Sequence, residues 1–435
     1  MLESFAQAFR LPDLRRRLLF TFGILVIFRL AAHVPVPGLD QVALRSFFDQ
    51  TSATADAARL LNLLSGGALE NFSVVAMGVY PYITASIIIQ LIVPLVPALE
   101  DLSKEGESGR NKINMYTYWL TIPLAILQGV AQVALLNSSM TSATGGQVVE
   151  FGAANPLNTV TVLLALTAGT MLSLWLGERI TESGIGNGVS IIIFGGIVAG
   201  IPAGLLGLIN TPIALLIVLL LTVVTVAAIV VVQEGHRRIP VEYGRRVRGT
   251  RTYGGQTTYI PLRINSAGMI PLIFANSLLI FPAMLGGLLQ NLEPQWLKDT
   301  GFWLTNWFNQ QGWQYFLVYF VLVVLFTFFY TDVVFRQQNL HESLQRNGGF
   351  IPGLRPGKRT EDYLNGVMHR ITLVGALFLG LVAVMPFLAT QITNLPSNQS
   401  LIINATGLLI VVGVVLDTIR QLEAQLLMRH YEGFM

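Results

Sequence analysis

The sequence predicts an all-α polytopic membrane protein with ten transmembrane helices in two inverted five-helix halves. Of its 435 residues, 53% are hydrophobic and 12% are charged, and the mean hydropathy is +0.60. Such a chain is too apolar to cover itself with a polar surface in water. Crossing a hydrocarbon core of about 30 Å takes roughly 20 helical residues, and several runs reach that length with few charges. A short motif that recurs five spans apart predicts the two halves.

The spans follow from the apolar runs in chain order. They are expected near residues 18–34, 75–97, 115–137, 157–177, 188–209, 212–233, 267–290, 313–333, 371–391 and 401–422. The first span follows a short amphipathic lead that ends in Arg15, Arg16 and Arg17. It runs into VPVPG without a small-residue cleavage signature, so we expect it to be retained and not removed as a signal peptide. The chain has no cysteine, which excludes disulfides and thiolate metal sites.

The positive charges predict the orientation in the membrane. With the amino terminus on the cytoplasmic side, all of the 27 lysines and arginines except Arg29, Arg45, Arg59 and Lys298 fall in cytoplasmic segments. Lysine and arginine near the ends of spans set orientation. We therefore predict that both termini are cytoplasmic.

The apolar stretch that contains the second predicted span is unusually long. The chain is mostly apolar from Leu60 to Leu95, nearly twice the length that one crossing needs, and SGG at 65–67 interrupts it. Two helices must share this stretch. The first, ARLLNLL at 58–64, is too short to span and is tolerable only inside protein or in an aqueous cavity. The second is expected to begin around Gly78 and Pro81, because proline fits the first turn of a helix.

A repeat relates the second and seventh spans. The pattern G-x-x-P-x-I-x-A occurs at Gly78, Pro81, Ile83 and Ala85, and it returns in GMIPLIFA from Gly268 to Ala275. A shift of five spans reverses orientation, so the repeat predicts halves related by an axis in the membrane plane. Chance is the alternative reading, because these four residue types are common in membrane helices.

The motifs of enzymes are missing from the sequence. GLRPGKR at 353–359 fails the phosphate-loop pattern, and GIGNG at 184–188 lacks the strand and helix of a dinucleotide site. The five histidines form no metal-binding spacing. The acids Glu178, Asp332 and Asp417 lie near the cytoplasmic ends of spans, where a structural role is the default. We therefore predict neither an enzyme nor a cofactor.

Longer motifs along the chain carry a family resemblance. SGGALENFSVVAMGVYPYITASIIIQ, KEGESGRNKI, WLGERITESGIGNGVSIIIF, INSAGMIPLIFANS and IPGLRPGKRTEDYL resemble the SecY family of bacterial protein-conducting channels. The resemblance implies a clamshell of two halves, 1–210 and 211–435, around an hourglass pore with a lateral gate and a plug at about 58–72. It also implies that unfolded preproteins cross the bacterial cytoplasmic membrane and that hydrophobic segments leave sideways into lipid. The implied partners are SecE, SecG, the SecA motor ATPase, the ribosome, signal sequences and membrane lipids.

The resemblance also assigns roles to individual residues. A pore ring at the waist is implied at Ile83, Ile87, Val189, Ile193, Ile273 and Ile410, with valine a small departure from isoleucine. A narrow apolar ring dewets and blocks ions, yet its side chains part around a peptide of any sequence. The plug is implied at Leu60, Leu61, Asn62, Leu63, Leu64, Gly66 and Gly67, and a re-entrant element that never moves is the alternative. The polar cluster of the lateral gate is implied at Thr84, Gln90, Gln128 and Asn276.

Two cytoplasmic arms are expected at about 234–264 and 336–370. The first alternates around a centre rich in Gly and Arg and is predicted to be a β-hairpin. Arg245, Arg246, Arg248 and Arg251 near its tip, and Arg355 in the second arm, are predicted to dock the ribosome or the motor. The alternative is that these charges serve only to orient the chain.

Two other function classes remain open from the sequence. A small-solute secondary transporter also uses inverted repeats and broken helices. The lack of charges in mid-membrane argues against it, although a carrier of uncharged solutes escapes that test. A pure scaffold subunit is the third class, and it predicts no conductance.

Overall fold

The structure is a computed structural model of the chain. It describes residues 11–40, 44, 62, 65, 67–144, 149, 155–207, 212–243, 246–248, 251–253, 257–289, 294–308, 312–338, 340–346, 348–354, 357–393 and 405–432.

The described part of the chain is mostly helical. Its first half contains α1 (Pro12–Ala31), α2 (Tyr80–Ile92), α3 (Pro97–Lys104), α4 (Glu107–Thr144), α5 (Pro156–Ser183) and α6 (Gly188–Gly207). Its second half contains α7 (Pro212–Glu234), α8 (Ile270–Leu289), α9 (Gln295–Trp307), α10 (Trp313–Gln338), α11 (Leu340–Arg346), α12 (Lys358–Thr393) and α13 (Ala405–Glu432). The strands are β1 (His236–Tyr243), β2 (Arg246–Arg248), β3 (Arg251–Tyr253), β4 (Thr257–Arg263) and β5 (Gly349–Phe350).

Proline marks the start of many of these helices. It is the first residue of α1, α3, α5 and α7, and it is the second residue of α2 and α8. Its fixed φ suits a helix, and its missing N–H is one that the first turn leaves unpaired in any case. The start of α1 at Pro12 places Arg15, Arg16 and Arg17 inside that helix, so the predicted lead is shorter than expected.

Each predicted span contains a helix, but the helices differ in their capacity to cross a bilayer. Among the described residues, five stretches are long and apolar enough: Glu107–Ala134, Pro156–Ser183, Leu215–Glu234, Trp313–Phe335 and Lys358–Met385. A sixth arises if α2 and the helix after it count as one bent span. The apolar stretches Gly188–Pro202 and Ile270–Leu279 are shorter. The structure thus shows a chain rich in long apolar helices, and the count of ten spans remains a proposal.

The second span is broken where the sequence predicts one continuous run to residue 97. Residues 75–79 form turns, α2 has 13 residues, and the chain then bends by 106° into α3. Pro97 begins α3, and the residue before a proline is pushed away from the helical region. A helix this short is accommodated where protein surrounds its ends.

The longer helices form two bundles with matching contacts. In the first, α1 packs on α5 and α6, α4 packs on α2 and α5, and α5 packs on α6. In the second, α7 packs on α12 and α13, α10 packs on α8 and α12, and α12 packs on α13. Every one of these contacts in the second bundle has its counterpart, five spans earlier, in the first.

Two seams join the bundles. On one side α8 contacts α2 and α4, and on the other α13 contacts α6. The hydrophobic core follows this division. One cluster fills the first bundle and reaches across to Ile273, Phe274, Ile410 and Val414, while a second cluster lies within the second bundle.

The two arms, predicted separately, form one small folded unit. Strands β1 and β4 pair in antiparallel register from His236↔Arg263 to Glu242↔Thr257, which confirms the predicted hairpin. Strand β5 of the second arm adds to the other edge of β1. Ile239 and Val241 of the hairpin pack with Leu344 and Leu364 of the second arm in a separate core. Burial of this shared apolar face holds the arms together.

Candidate functional site

The isoleucines predicted to form the pore ring lie in one cluster. Ile83, Ile87, Ile193, Ile273 and Ile410 are all between 0% and 9% exposed and belong to the same group of contacting buried side chains. Val189 is partly buried and packs against that group. The five isoleucines come from α2, α6, α8 and α13, so both bundles contribute. All six predicted residues therefore belong to, or pack against, the connected apolar core that the two bundles share.

Helix α8 divides its side chains between two cores. Leu272, Ala275 and Leu279 lie in the core of the second bundle, whereas Ile273 and Phe274 lie in the cluster that holds the ring residues. Neighbouring residues on a helix point about 100° apart, so one helix can serve two surfaces. Phe274 also meets Phe326 and Tyr330 of α10 edge to face, with ring centroids 6.0 Å apart in each pair.

The repeated motif gives the backbone just before α2 and the backbone just before α8 the same left-handed conformation. Gly78 precedes α2 with φ of 52°, and Gly268 precedes α8 with φ of 65°. An L side chain disfavours this left-handed conformation, and glycine does not. The motif alanines, Ala85 and Ala275, are both fully buried. The matching backbone geometry favours the repeat reading over chance.

A polar contact joins α2 to α4 at the predicted lateral gate. The side-chain nitrogen of Gln128 donates a hydrogen bond of 3.1 Å to the hydroxyl of Thr84. The hydroxyl of Thr84 also donates to the backbone carbonyl of Tyr80. Two of the four residues predicted for this cluster are therefore in direct contact.

The other two predicted residues have different surroundings. Gln90 donates to Ser86, one turn back on its own helix, at 3.1 Å. Asn276 is buried in α8, with 6% exposure. The structure thus places Asn276 in the helix that contacts α2 and α4, while the hydrogen bond from Gln90 to Ser86 stays within α2.

A contact across the seam involves a residue that the sequence analysis missed. The hydroxyl of Tyr80, at the start of α2, donates a hydrogen bond of 3.3 Å to the backbone carbonyl of Ser277 in α8. Tyr80 is 7% exposed and belongs to the same buried cluster as the ring isoleucines. A buried tyrosine hydroxyl usually finds a partner. Its position next to Pro81, at the mouth of an apolar run, was the available signal.

The seam is incompletely hydrogen-bonded. Within the described part of the chain, Oε1 of Gln90, Oε1 of Gln128 and Oγ of Ser277 are buried and have no hydrogen-bond partner. A buried polar atom without a partner costs about 1–3 kcal/mol. The packed seam therefore carries an energetic cost that a fully hydrogen-bonded one would lack.

Five of the residues named for the plug lie outside the described residues: Leu60, Leu61, Leu63, Leu64 and Gly66. Asn62 is described, and its side-chain oxygen accepts a bond of 2.9 Å from the backbone N–H of Glu70. Gly67 has φ of 80° and donates its N–H to the carbonyl of Asn62. The following Leu69 and Phe72 are fully buried in the cluster of the ring residues.

The basic residues of the arms are described only in part. Arg246 and Arg248 lie on β2 and Arg251 lies on β3, with Arg248 directly opposite Arg251. Arg245 and Arg355 lie outside the described residues. Elsewhere in the described chain, no group of three His, Asp or Glu residues is arranged to hold a metal ion.

Comparison with known proteins identifies the family. The SecY family model matches residues 73–419. The chain belongs to the SecY family. The protein translocase subunit SecY of Streptomyces coelicolor is 43% identical, and that of Mycobacterium tuberculosis is 41% identical, each over 100% of both chains. The resemblance predicted from the motifs is therefore confirmed, and so is protein translocation as the function of the family.

Solved structures support the SecY fold. The chain is similar to a protein-conducting channel, with a TM-score of 0.60 and 17% identity over 94% of this chain and 91% of that one. A SecY structure whose plug domain is described as stabilising the closed channel gives a TM-score of 0.61 at 17% identity, over the same shares of the two chains. Sec61 from a canine ribosome–channel complex gives 0.59 at 16% identity, again over 94% and 91%.

Proposed function

We propose that this chain forms the pore of a channel that moves unfolded preproteins across the cytoplasmic membrane of a bacterium and releases hydrophobic segments sideways into lipid. One observation carries the proposal: isoleucines from four helices of both bundles gather in one buried apolar cluster. Family membership supports it, because the relatives are protein translocase subunits. No step in this function requires catalysis by the chain itself.

The channel has ten transmembrane helices in two inverted halves, 1–210 and 211–435. The helix contacts that recur five spans apart support this division, as do the positive φ angles of Gly78 and Gly268. Short helices such as α2 are protected by the bundle around them and need less apolar surface than a lipid-exposed span. Both termini face the cytoplasm, which the positive charges near the span ends support.

The ring keeps the resting channel tight. Ile83, Ile87, Val189, Ile193, Ile273 and Ile410 line the waist, where an apolar constriction excludes water and therefore ions. Their close packing in one cluster supports a sealed state.

Residues 58–72 form the plug. Burial of Leu69 and Phe72 against the same cluster supports this assignment, and so does the role of the plug domain in a structurally similar SecY.

The lateral gate lies where α8 meets α2 and α4. Thr84, Gln90, Gln128 and Asn276 supply polar groups there, and Tyr80 adds a bond to Ser277. Buried polar atoms without partners make this seam less costly to part than a wholly apolar one. A hydrophobic signal sequence binds in the opened gap, because it replaces apolar helix contacts with its own.

The partners are those of the SecY channel. SecE and SecG are the small membrane subunits, and SecA or the ribosome supplies the driving force. The folded unit of the two arms carries Arg246, Arg248 and Arg251 near the hairpin tip, where clustered positive charge attracts an acidic motor or ribosomal RNA. Similarity in fold to Sec61 of a ribosome–channel complex supports the ribosome as a partner.

Reconstitution tests the proposal. The purified chain, with SecE, SecG, SecA and ATP, is placed in vesicles together with a preprotein, and import is read as protection of the preprotein from protease. We expect ATP-dependent protection, with none in vesicles that lack the chain. Absence of preprotein import together with accumulation of a labelled sugar or amino acid would replace the channel with a small-solute transporter.

A further inference from the structure

Helix α9 was not predicted from the sequence, and it presents tryptophans on one face. Trp296, Trp303 and Trp307 are 67%, 57% and 45% exposed. Their spacing of seven and four residues places all three within about 40° of one another around the helix. The rings of Trp303 and Trp307 have centroids 5.6 Å apart and are tilted by 36° to each other. Three exposed tryptophans on one face form an apolar patch.

The opposite side of α9 is fixed to α8. A Cβ on Gly286 of α8 would lie 3.0 Å from the carbonyl oxygen of Gly301 and 3.2 Å from Cβ of Leu304. Gly301 is buried, whereas the three tryptophans are not. The two backbones therefore approach as closely as the glycines allow, which sets the direction of the tryptophan face.

The position of α9 in the chain places it at the membrane surface. It follows α8 and precedes α10 through the short connections 290–294 and 308–312. Helix α10 contains a stretch, Trp313–Phe335, that is long and apolar enough to cross the membrane. Because the hairpin arm precedes α8, α9 lies at the end of these helices remote from the arm.

Helix α10, which follows α9, also carries an exposed apolar stripe. On α10 the residues Trp313, Leu317, Val321 and Leu325 are exposed at successive turns, from 45% to 63%. On α9 the other exposed residues are mostly polar: Gln295, Asp299, Thr300 and Asn306, with the apolar Phe302, 57% exposed, among them. An apolar aromatic stripe next to a polar stripe is the pattern of a helix that lies in a membrane interface. Tryptophan is the side chain most suited to the level of the headgroups.

We propose that α9 is an interfacial anchor whose tryptophan face, Trp296, Trp303 and Trp307, inserts at the headgroup level of the leaflet remote from the hairpin arm. The occupant of this face is the lipid of that leaflet. Through the Gly286–Gly301 contact the anchor holds the end of α8, the helix that carries Ile273 and Asn276. The depth of α8 in the membrane is thereby set at its far end.

Site-directed fluorescence quenching tests the anchor, and the natural absence of cysteine makes labelling specific. Two full-length variants, Trp303→Cys and Gln295→Cys, receive the same small environment-sensitive fluorophore and are reconstituted into phosphatidylcholine–phosphatidylglycerol vesicles. Gln295 is the matched control, because it is exposed on the polar side of the same helix. Lipids with a spin label near the headgroup report interfacial depth, lipids with a label near the chain end report the bilayer centre, and iodide on both sides of the vesicle reports water.

We expect the label at 303 to be quenched several-fold more by the shallow spin label than by the deep one and to be shielded from iodide. The label at 295 should be quenched more strongly by iodide than by either spin-labelled lipid. Equal iodide quenching at the two positions would overturn the proposal, because the tryptophan face would then lie in water. A label at 303 that is quenched neither by the spin-labelled lipids nor by iodide would also overturn the proposal. A second copy of the chain would then cover the tryptophan face. Trp296→Cys repeats the test independently, so the result does not depend on one variant folding.

Discussion

The hydroxyl of Tyr80 donates a hydrogen bond of 3.3 Å to the backbone carbonyl of Ser277, 197 residues away in the chain. The two residues lie on α2 and α8, which belong to different bundles. The contact therefore crosses the seam that must part if hydrophobic segments leave the channel sideways. It joins two helices that also carry the predicted ring residues Ile83, Ile87 and Ile273, so the proposed seal and the proposed gate would share helices.

Loss of this bond should make the gate easier to open. Tyr80→Phe keeps the buried ring and removes the hydroxyl, at a net cost to the closed state of about 1 kcal/mol. We expect faster import of a preprotein whose signal sequence has been made less hydrophobic, measured as protease protection in reconstituted vesicles. Tyr82→Phe is the control, because Tyr82 stacks on Tyr118 and its ring is retained. An equal effect of the two changes would show that the Tyr80 bond does not hold the gate.

Polar side chains in the ring should make the resting channel leak. Ile87 and Ile273 are each 8% exposed within the shared cluster, and serine in their place would leave space and a hydroxyl that stabilises water. We expect Ile87→Ser combined with Ile273→Ser to raise the resting ion conductance in planar bilayers. Ile89→Ser on the same helix is the control, since Ile89 is only partly buried and lies outside the cluster. A conductance equal to that of the unchanged chain would contradict the ring assignment.

We expect Gly268 to stabilise the fold only because glycine adopts a positive φ without strain. Its φ is 65°, and no atom lies within 4 Å of the site that a Cβ would occupy. An alanine there has room but must adopt the left-handed conformation, which costs roughly 1–2 kcal/mol. We expect Gly268→Ala to lower the thermal midpoint of the purified protein.

Gly200 provides the matched control for that substitution. It also has open space around it, but it lies inside α6 with an ordinary helical φ. Gly200→Ala should leave the midpoint unchanged or raise it, because alanine favours a helix by about 1 kcal/mol over glycine. A similar loss in both variants would mean that conformation is not the cause.

Local signals in the sequence predicted much of this fold. Proline in the first turn and glycine before it located the starts of α2 and α8 to within a few residues, because both effects act through the local backbone. The hairpin was predicted from alternation around a turn. The isoleucines of the ring were found only through family resemblance, since their residue type is ordinary for a buried helix.

Other features were missed because they depend on distant parts of the chain. The pairing of β5 with β1 joins the two arms across roughly a hundred residues, and no local pattern reports it. The sharp bend between α2 and α3 was read as one continuous span, since Val93 to Val96 are nearly as apolar as the helix before them. Helix α9 was missed because apolar runs were sought, and its tryptophans are interleaved with polar residues.

The most direct test asks whether a passing chain touches the ring. Single cysteines at Ile87, Ile193 or Ile273 can be paired with one cysteine in a stalled preprotein, because the natural chain has none of its own. We predict disulfide cross-links from each ring position when a preprotein is arrested during transport, and none from a cysteine at the exposed Ile126 of α4. Cross-links from Ile126 and none from the ring positions would contradict a path through the isoleucine cluster.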